Sequence, residues 1–193
     1  MEKVFSLFFI LLMVGCTQNE PLYDYDVEKK INEMGLKVPE PSTPIANYVP
    51  AVSFSESGKT KLVYVSGTGP KTKEGTYITG KVDQDLTIEE GYDAARLTAL
   101  NILGSLKGEI GDLNKVVRFV KVIGMVNSTP SFNQQPAVIN GFSDFIVEVF
   151  GDRGRHARSA VGLVSLPSDI AVEIEVVVAV SYTHLTLPTN REV

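Results

Sequence analysis

The feature that most constrains the fold is the last apolar stretch, IAVEIEVVVAV at residues 170–180. Successive side chains of a β-strand point to opposite faces, and this stretch carries valine, isoleucine or alanine on both. Both faces of the sheet that contains it must therefore be covered. We expect helices of the same chain to cover one face and a neighbouring subunit to cover the other.

The order of the predicted elements indicates an α+β fold with a mixed sheet and two helices on one face. Thr87 and Glu90 form a capping-box pattern at the start of the first helix, and glycines end that helix at its C-terminus. The elements comprise two strands within 51–67, a helix at 86–111, a strand at 115–127, a helix at 134–151, and strands at 157–166 and 170–180.

The two ends of the chain differ from the domain at 45–180. Residues 1–15 combine a charged start with a short apolar run, and they precede Cys16, the single cysteine of the chain. This pattern resembles a bacterial lipoprotein signal. We therefore expect an exported protein that is anchored to the cell envelope by lipid on Cys16. Residues 16–44 are predicted to be a polar tether, and 181–193 a non-native tail that we exclude from functional reasoning.

Composition argues against several classes of function. The formal net charge of −5 disfavours a nucleic-acid partner, because phosphate binding depends on a basic surface. The chain has two histidines, His156 and His184, and its cysteine is assigned to lipid, so we expect no metal site and no cofactor. A Ser–His–Asp triad would need His156, yet no G-x-S-x-G motif presents a serine. We expect His156 to be a strand-end residue.

Charged residues in the last two strands are the candidates for chemistry. Glu173 and Glu175 are two positions apart and therefore share a face. They could form a functional carboxylate pair, or both could point to solvent on an edge strand. Arg158 lies early in its strand, where it could hold a ligand carboxylate bidentately. The alternative is a structural ion pair with Glu173 or Glu175.

Several motifs, in order, resemble the RidA (YjgF) family, and nearest its chorismate-mutase-like branch. They are TPIANYVP, LVYVSGTGP, EEGYDAARLTALNIL, VINGFSDFIVEVFG, GRHARSAVG and VEIE. The resemblance implies a chorismate-mutase-like fold and a homotrimer whose three sheets form a barrel with ligand clefts between subunits. Deaminases of this family hydrolyse reactive 2-imino acids to 2-keto acids and ammonia.

The resemblance also assigns site residues. Arg158 matches the arginine that grips the substrate carboxylate, and Glu173 matches the glutamate that positions the attacking water. Tyr48 matches the tyrosine that closes the cleft, and Gly67 lies in the matching turn. Asn140 matches the helix asparagine, with one residue more before Arg158 than in the family.

Two departures bear on the substrate. Ala160 replaces a cysteine that is frequent in the deaminases, and His156 replaces a proline. Together with Arg153 and Arg155, His156 forms a rim expected to select the substrate. Three hypotheses follow: an imine deaminase, a non-catalytic trimeric module that binds small carboxylates, and, disfavoured by charge, an endoribonuclease.

Overall fold

A single mixed sheet of five strands organises the fold. The computed structural model describes residues 21–44, 46–54 and 58–182. The predicted signal, Cys16 and most of the predicted tail, including His184, lie outside these residues. The elements are α1 (Val27–Glu33), β1 (Ala51–Phe54), β2 (Thr60–Thr68), α2 (Ile88–Ile110), β3 (Val116–Asn127), α3 (Gln135–Phe150), β4 (Ala157–Leu163) and β5 (Val172–Ser181).

The strand order β1-β2-β5-β3-β4 confirms the predicted α+β class. β3 and β4 are parallel and are connected through α3, and the other neighbouring pairs are antiparallel. A parallel pair needs a long crossover connection, and α3 supplies it. β5 lies in the middle of the sheet and β4 at its edge, so the idea that Glu173 and Glu175 belong to an edge strand is wrong.

Local sequence signals set the bounds of α2. The Thr87 side chain accepts a hydrogen bond from the backbone of Glu90, and the Glu90 side chain accepts one from the backbone of Thr87, which confirms the capping box. The helix passes through Gly108 and ends at Gly111, whose φ of 78° suits glycine. α3 crosses α2 closely at Gly141, where a Cβ atom would lie 2.0 Å from the carbonyl oxygen of Tyr92.

The core lies between the two long helices and one face of the sheet. Alternate residues of β5, from Val172 to Val180, are buried on that face. The opposite face carries exposed apolar side chains, among them Tyr64 on β2 and Val161 on β4. No helix within the described ranges is long and apolar enough to cross a membrane.

The stretch before residue 45 is packed on the domain, which differs from the predicted tether. Val27 and Ile31 of α1 are fully buried. The hydroxyl of Tyr23 donates to the carbonyl of Val116 at 2.6 Å, and that of Tyr25 donates to the carbonyl of Val149 at 2.8 Å. The buried side chains of α1 and the two tyrosine hydroxyls thus hold this segment against the core.

The other end of the domain also extends beyond its predicted boundary. Ser181, which was assigned to the tail, pairs with Thr60 in the β2–β5 ladder. The backbone N–H of Tyr182 donates to the carbonyl of Lys59 at 2.7 Å. These two residues therefore belong to the sheet.

Candidate functional site

Arg158 is fixed against α3 by neutral acceptors. It lies on edge strand β4, opposite Val122 of β3, on the face that the helices cover. Its NH1 group donates to Oδ1 of Asn140 at 3.0 Å and to Oγ of Ser143 at 2.9 Å. Its NH2 group makes a longer contact of 3.5 Å with the carbonyl oxygen of Pro136. The guanidinium is therefore oriented without being neutralised.

The ion pair proposed as an alternative for Arg158 does not form. In the described part of the chain, no carboxylate lies within ion-pair distance of its guanidinium. Glu173 and Glu175 are on the opposite face of the sheet. A half-buried arginine that lacks an internal counter-charge is suited to bind an external carboxylate.

Glu173 lies on the open face of the sheet, beside Gly67. The register of β2 shifts between Val65 and Thr68, and a Cβ atom on Gly67 would lie 2.2 Å from Oε1 of Glu173. A β-bulge of this kind changes the local direction of the strand, and a side chain at position 67 would force the Glu173 carboxylate out of its present position. Burial, and to a smaller extent the neighbouring charge of Glu175, raise the pKa of the Glu173 carboxyl above its usual value. A carboxyl with this shift suits a proton acceptor from water.

Tyr48 lies near Gly67. Both residues line a small pocket of about 90 Å³ that also includes Ser66 and Tyr77. Tyr48 is half-exposed and also borders a larger depression of about 460 Å³ on the open face, which Glu175 and Lys121 line as well. Tyr48, Gly67 and Glu173 thus form one local group.

The predicted site residues therefore fall into two groups. Asn140 and Arg158 lie on the helix-covered side of β4. Glu173 pairs with Met125 of β3, whose side chain is on the open face, whereas Arg158 pairs with the buried Val122. One chain does not bring Arg158 and Glu173 into a common cleft.

Ser143 and His156 are also part of the arginine group. The sequence reasoning placed His156 in the rim around the site and missed Ser143. Oγ of Ser143 lies 3.1 Å from Nε2 of His156, and Nδ1 of His156 lies 2.6 Å from the carbonyl oxygen of Gly154. His156 does precede β4, as expected. Ser143 is three positions after Asn140 on α3, and this spacing places the two on the same helix face.

Residues 151–158 give the neighbourhood of Arg158 its basic character. Arg155 and His156 line, with Arg158 and α3, an open groove of about 670 Å³. Arg155 contacts Asp152 at 3.0 Å at an exposed position. Arg153 donates instead to the carbonyls of Leu22 and Val117, so it belongs to the packing of the N-terminal segment.

No cluster of three or more metal-ligating side chains occurs among the residues with described positions.

These observations define an α+β protein with a mixed five-stranded sheet, two long helices on one face and an arginine held at the sheet edge. The model of the family "YjgF/chorismate mutase-like, putative endoribonuclease" matches residues 28–174. The chain belongs to this family.

Similar proteins span nearly the same length. Protein TCP17 of Trypanosoma cruzi is 42% identical over 153 residues, which cover 79% of this chain and 92% of that protein. The structure of Atu1372 from Agrobacterium tumefaciens, of unknown function, is 42% identical with a TM-score of 0.70, over 80% of this chain and 93% of that one.

Two further structures extend the comparison. A putative endoribonuclease from Shewanella oneidensis MR-1 is 28% identical, with a TM-score of 0.72, over 80% and 99% of the two chains. The YjgF gene product of Escherichia coli, 22% identical over 72% and 91% of the chains, shares the fold with a TM-score of 0.50.

Proposed function

We propose that the protein binds small carboxylates at Arg158 and, as a homotrimer, hydrolyses reactive 2-imino acids to 2-keto acids and ammonia. The observation that carries this proposal is that the guanidinium of Arg158 is held in place but has no counter-charge within the described residues. Two neutral oxygen acceptors orient its guanidinium, and no described carboxylate neutralises it. A hydrogen bond to a charged group contributes about 1.5–3 kcal/mol, enough to select ligands that carry a carboxylate.

Glu173 is the proposed base. Its raised pKa favours accepting a proton from a water molecule. The water oxygen adds to the imine carbon, and the proton taken up by Glu173 passes to the imine nitrogen to give a carbinolamine. The carbinolamine hydroxyl then gives its proton, through Glu173, to the amino group as the C–N bond breaks, which forms the carbonyl and releases ammonia. Arg158 holds the substrate carboxylate during these steps, so positioning supplies part of the rate.

The separation of Arg158 and Glu173 within one chain determines where this chemistry occurs. A complete cleft needs Arg158 of one subunit and Glu173 of another. The exposed apolar side chains of the open sheet face, such as Tyr64 and Val161, support an assembly that covers this face. A family homotrimer with clefts between subunits provides such an arrangement.

A non-catalytic carboxylate-binding module is the second candidate. It is favoured by the absence, in the described chain, of a carboxylate within ion-pair distance of Arg158 and by Ala160 at the position where deaminases of the family frequently carry cysteine. An RNA-cleaving role, which the names of some relatives suggest, is disfavoured by the net charge of −5.

One assay separates the two candidates. The chain from residue 17 onward is purified, 2-iminopropanoate is generated in situ with an amino-acid oxidase, and imine loss is followed. A deaminase accelerates this loss, and Arg158→Ala removes the acceleration. If the wild type gives no acceleration but 2-ketobutyrate raises its melting temperature, and not that of Arg158→Ala, the protein is a binding module.

We further propose that the protein is exported and anchored through lipid on Cys16. The chain is packed from Leu22 onward, where its carbonyl accepts a hydrogen bond from Nε of Arg153 at 3.1 Å. Residues 17–21 could span at most about 18 Å, at about 3.3–3.6 Å per residue. The domain would therefore lie against the membrane surface. Cys16→Ser should abolish acylation and leave the precursor uncleaved, and normal processing of this variant would contradict lipidation.

A further inference from the structure

The hydroxyl of Ser143 forms hydrogen bonds with two basic side chains, Arg158 and His156. Arg158 can only donate hydrogen bonds, so Oγ of Ser143 accepts from its NH1 group at 2.9 Å. The single hydroxyl proton of Ser143 is then free to be donated to Nε2 of His156 at 3.1 Å. Because this hydroxyl accepts from Arg158 and donates to His156, the position of the His156 ring fixes the orientation of the hydroxyl that Arg158 binds.

The other ring nitrogen of His156 fixes its tautomer. Nδ1 lies 2.6 Å from the carbonyl oxygen of Gly154, which can only accept. A neutral ring that accepts at Nε2 must carry its proton on Nδ1, and that proton is donated to Gly154. The ring also packs edge-on against the buried Phe142, with centroids 5.8 Å apart. Backbone and core thus hold the imidazole in one orientation.

The charged groups around His156 are consistent with a neutral ring. Burial is the main cause that lowers the pKa of His156; the hydrogen bond to Gly154 offsets part of this effect, and the charge of Arg158 lowers the pKa further. Arg155 lines the same groove from the turn before β4, and Asp144 and Glu148 line it from α3. Both acids have other partners, because Tyr92 donates to Asp144 and Arg96 pairs with Glu148.

We propose that Gly154, His156 and Ser143 form a hydrogen-bonded relay that positions Arg158 and selects the edge of its guanidinium that binds the ligand carboxylate. Both protons of NH1 are used, one by Asn140 and one by Ser143. Nε makes no hydrogen bond within the described chain, and NH2 makes only the long contact with Pro136. The edge formed by Nε and NH2 is therefore the one available for bidentate binding.

Ser143 and His156 are positioning residues, since they act through Arg158. The inference rests on the proposed carboxylate binding and deepens it. Without Ser143, Arg158 keeps its charge but loses one of the two acceptors that fix NH1; without His156, that acceptor remains but its hydroxyl is no longer oriented. The ligand then binds to a less ordered guanidinium, and its affinity decreases while the site remains formed.

Binding of 2-ketobutyrate, measured by calorimetry, tests the relay without requiring turnover. Ser143→Ala should weaken binding about tenfold, which matches the loss of one hydrogen bond to a charged group, and His156→Ala about fivefold, which matches the loss of one neutral hydrogen bond. Ser143→Thr keeps the hydroxyl, and His156→Gln supplies an amide oxygen that can accept from Ser143. Both conservative variants should stay within about threefold of the wild type. Val147→Ala, in the same groove, is the matched control and should not change affinity.

Nitrogen-15 spectra of the His156 ring supply a second readout that is independent of affinity. The free protein should show the Nδ1–H tautomer, and the pKa of His156 should rise when 2-ketobutyrate binds, because a bound carboxylate offsets the charge of Arg158. The relay would be overturned by an Nε2–H tautomer, or by wild-type affinity in folded Ser143→Ala and His156→Ala. If the wild type bound no 2-keto acid, the proposed function would fail, and the tautomer would still decide whether the relay exists.

Discussion

The guanidinium of Arg158 and the carboxylate of Glu173 lie on opposite faces of the same sheet. β4 and β5 are not neighbours, because β3 lies between them. Arg158 is opposite Val122 on the side of the helices, and Glu173 is opposite Met125 on the open side. If the two groups act together, they must come from different copies of the chain.

Mixed subunits test this arrangement directly. Arg158→Ala and Glu173→Gln are each expected to be inactive as pure proteins in imine hydrolysis. When equal amounts are unfolded and reassembled together, about a quarter of the intersubunit clefts should contain both native residues if subunits mix randomly. Activity of the mixture near this fraction is expected. Activity no greater than that of the two separate variants, in a trimer shown to be mixed by mass spectrometry, would contradict a shared cleft.

Glu173→Gln should also stabilise the folded chain near pH 7, because it removes a carboxylate whose charge is disfavoured in the folded state. The pKa of Glu173 is raised in the folded chain, so the folded state keeps this proton to a higher pH than the unfolded state. The associated stabilisation is present below the unfolded pKa and is lost as pH rises through the folded pKa. Glutamine should therefore raise the free energy of unfolding near pH 7 by more than it does near pH 4.

Chemical denaturation at the two pH values measures this difference. Glu175→Gln is the matched control, because Glu175 is exposed on the same face of β5, and it should have the smaller effect. An equal change in unfolding free energy at both pH values for Glu173→Gln would show that burial of its charge has no energetic cost.

Gly67→Ala should impair catalysis through Glu173. The added methyl group would lie 2.2 Å from Oε1 of Glu173, so the carboxylate must move. We expect a decrease in kcat for imine hydrolysis while 2-ketobutyrate still binds at Arg158. A Gly67→Ala variant that loses affinity for 2-ketobutyrate, or that keeps the wild-type kcat, would show that Gly67 does not act through Glu173.

The arrangement of the elements could be predicted from sequence because each signal is local. The capping box of Thr87 and Glu90, the terminating Gly111 and the alternation of β5 all depend on neighbours within a few residues. The partners of Arg158 on α3 and the face occupied by Glu173 depend on strand order and register. Glu173 lies fifteen positions after Arg158, and that spacing alone does not reveal that β3 lies between their strands.

The N-terminal segment illustrates how composition can mislead. Its polar residues suggested a tether, whereas Val27 and Ile31, four positions apart, form one buried face of α1. The spacing of these two residues is visible in the sequence, but the docking of the helix on the domain is not. Two buried aliphatic side chains and two hydrogen bonds from tyrosine hydroxyls attach this segment to the domain.

Ile31→Ala tests whether the segment contributes to stability. Removal of a fully buried isoleucine side chain should lower the free energy of unfolding by about 2–5 kcal/mol. Asn32→Ala, at the next and exposed position of α1, is the control and should change it by less than about 0.5 kcal/mol. Urea denaturation of the chain from residue 17 onward gives both values. Equal stability of the two variants would mean that α1 is not docked in solution, and residues 21–44 would then act as the free tether that their composition suggests.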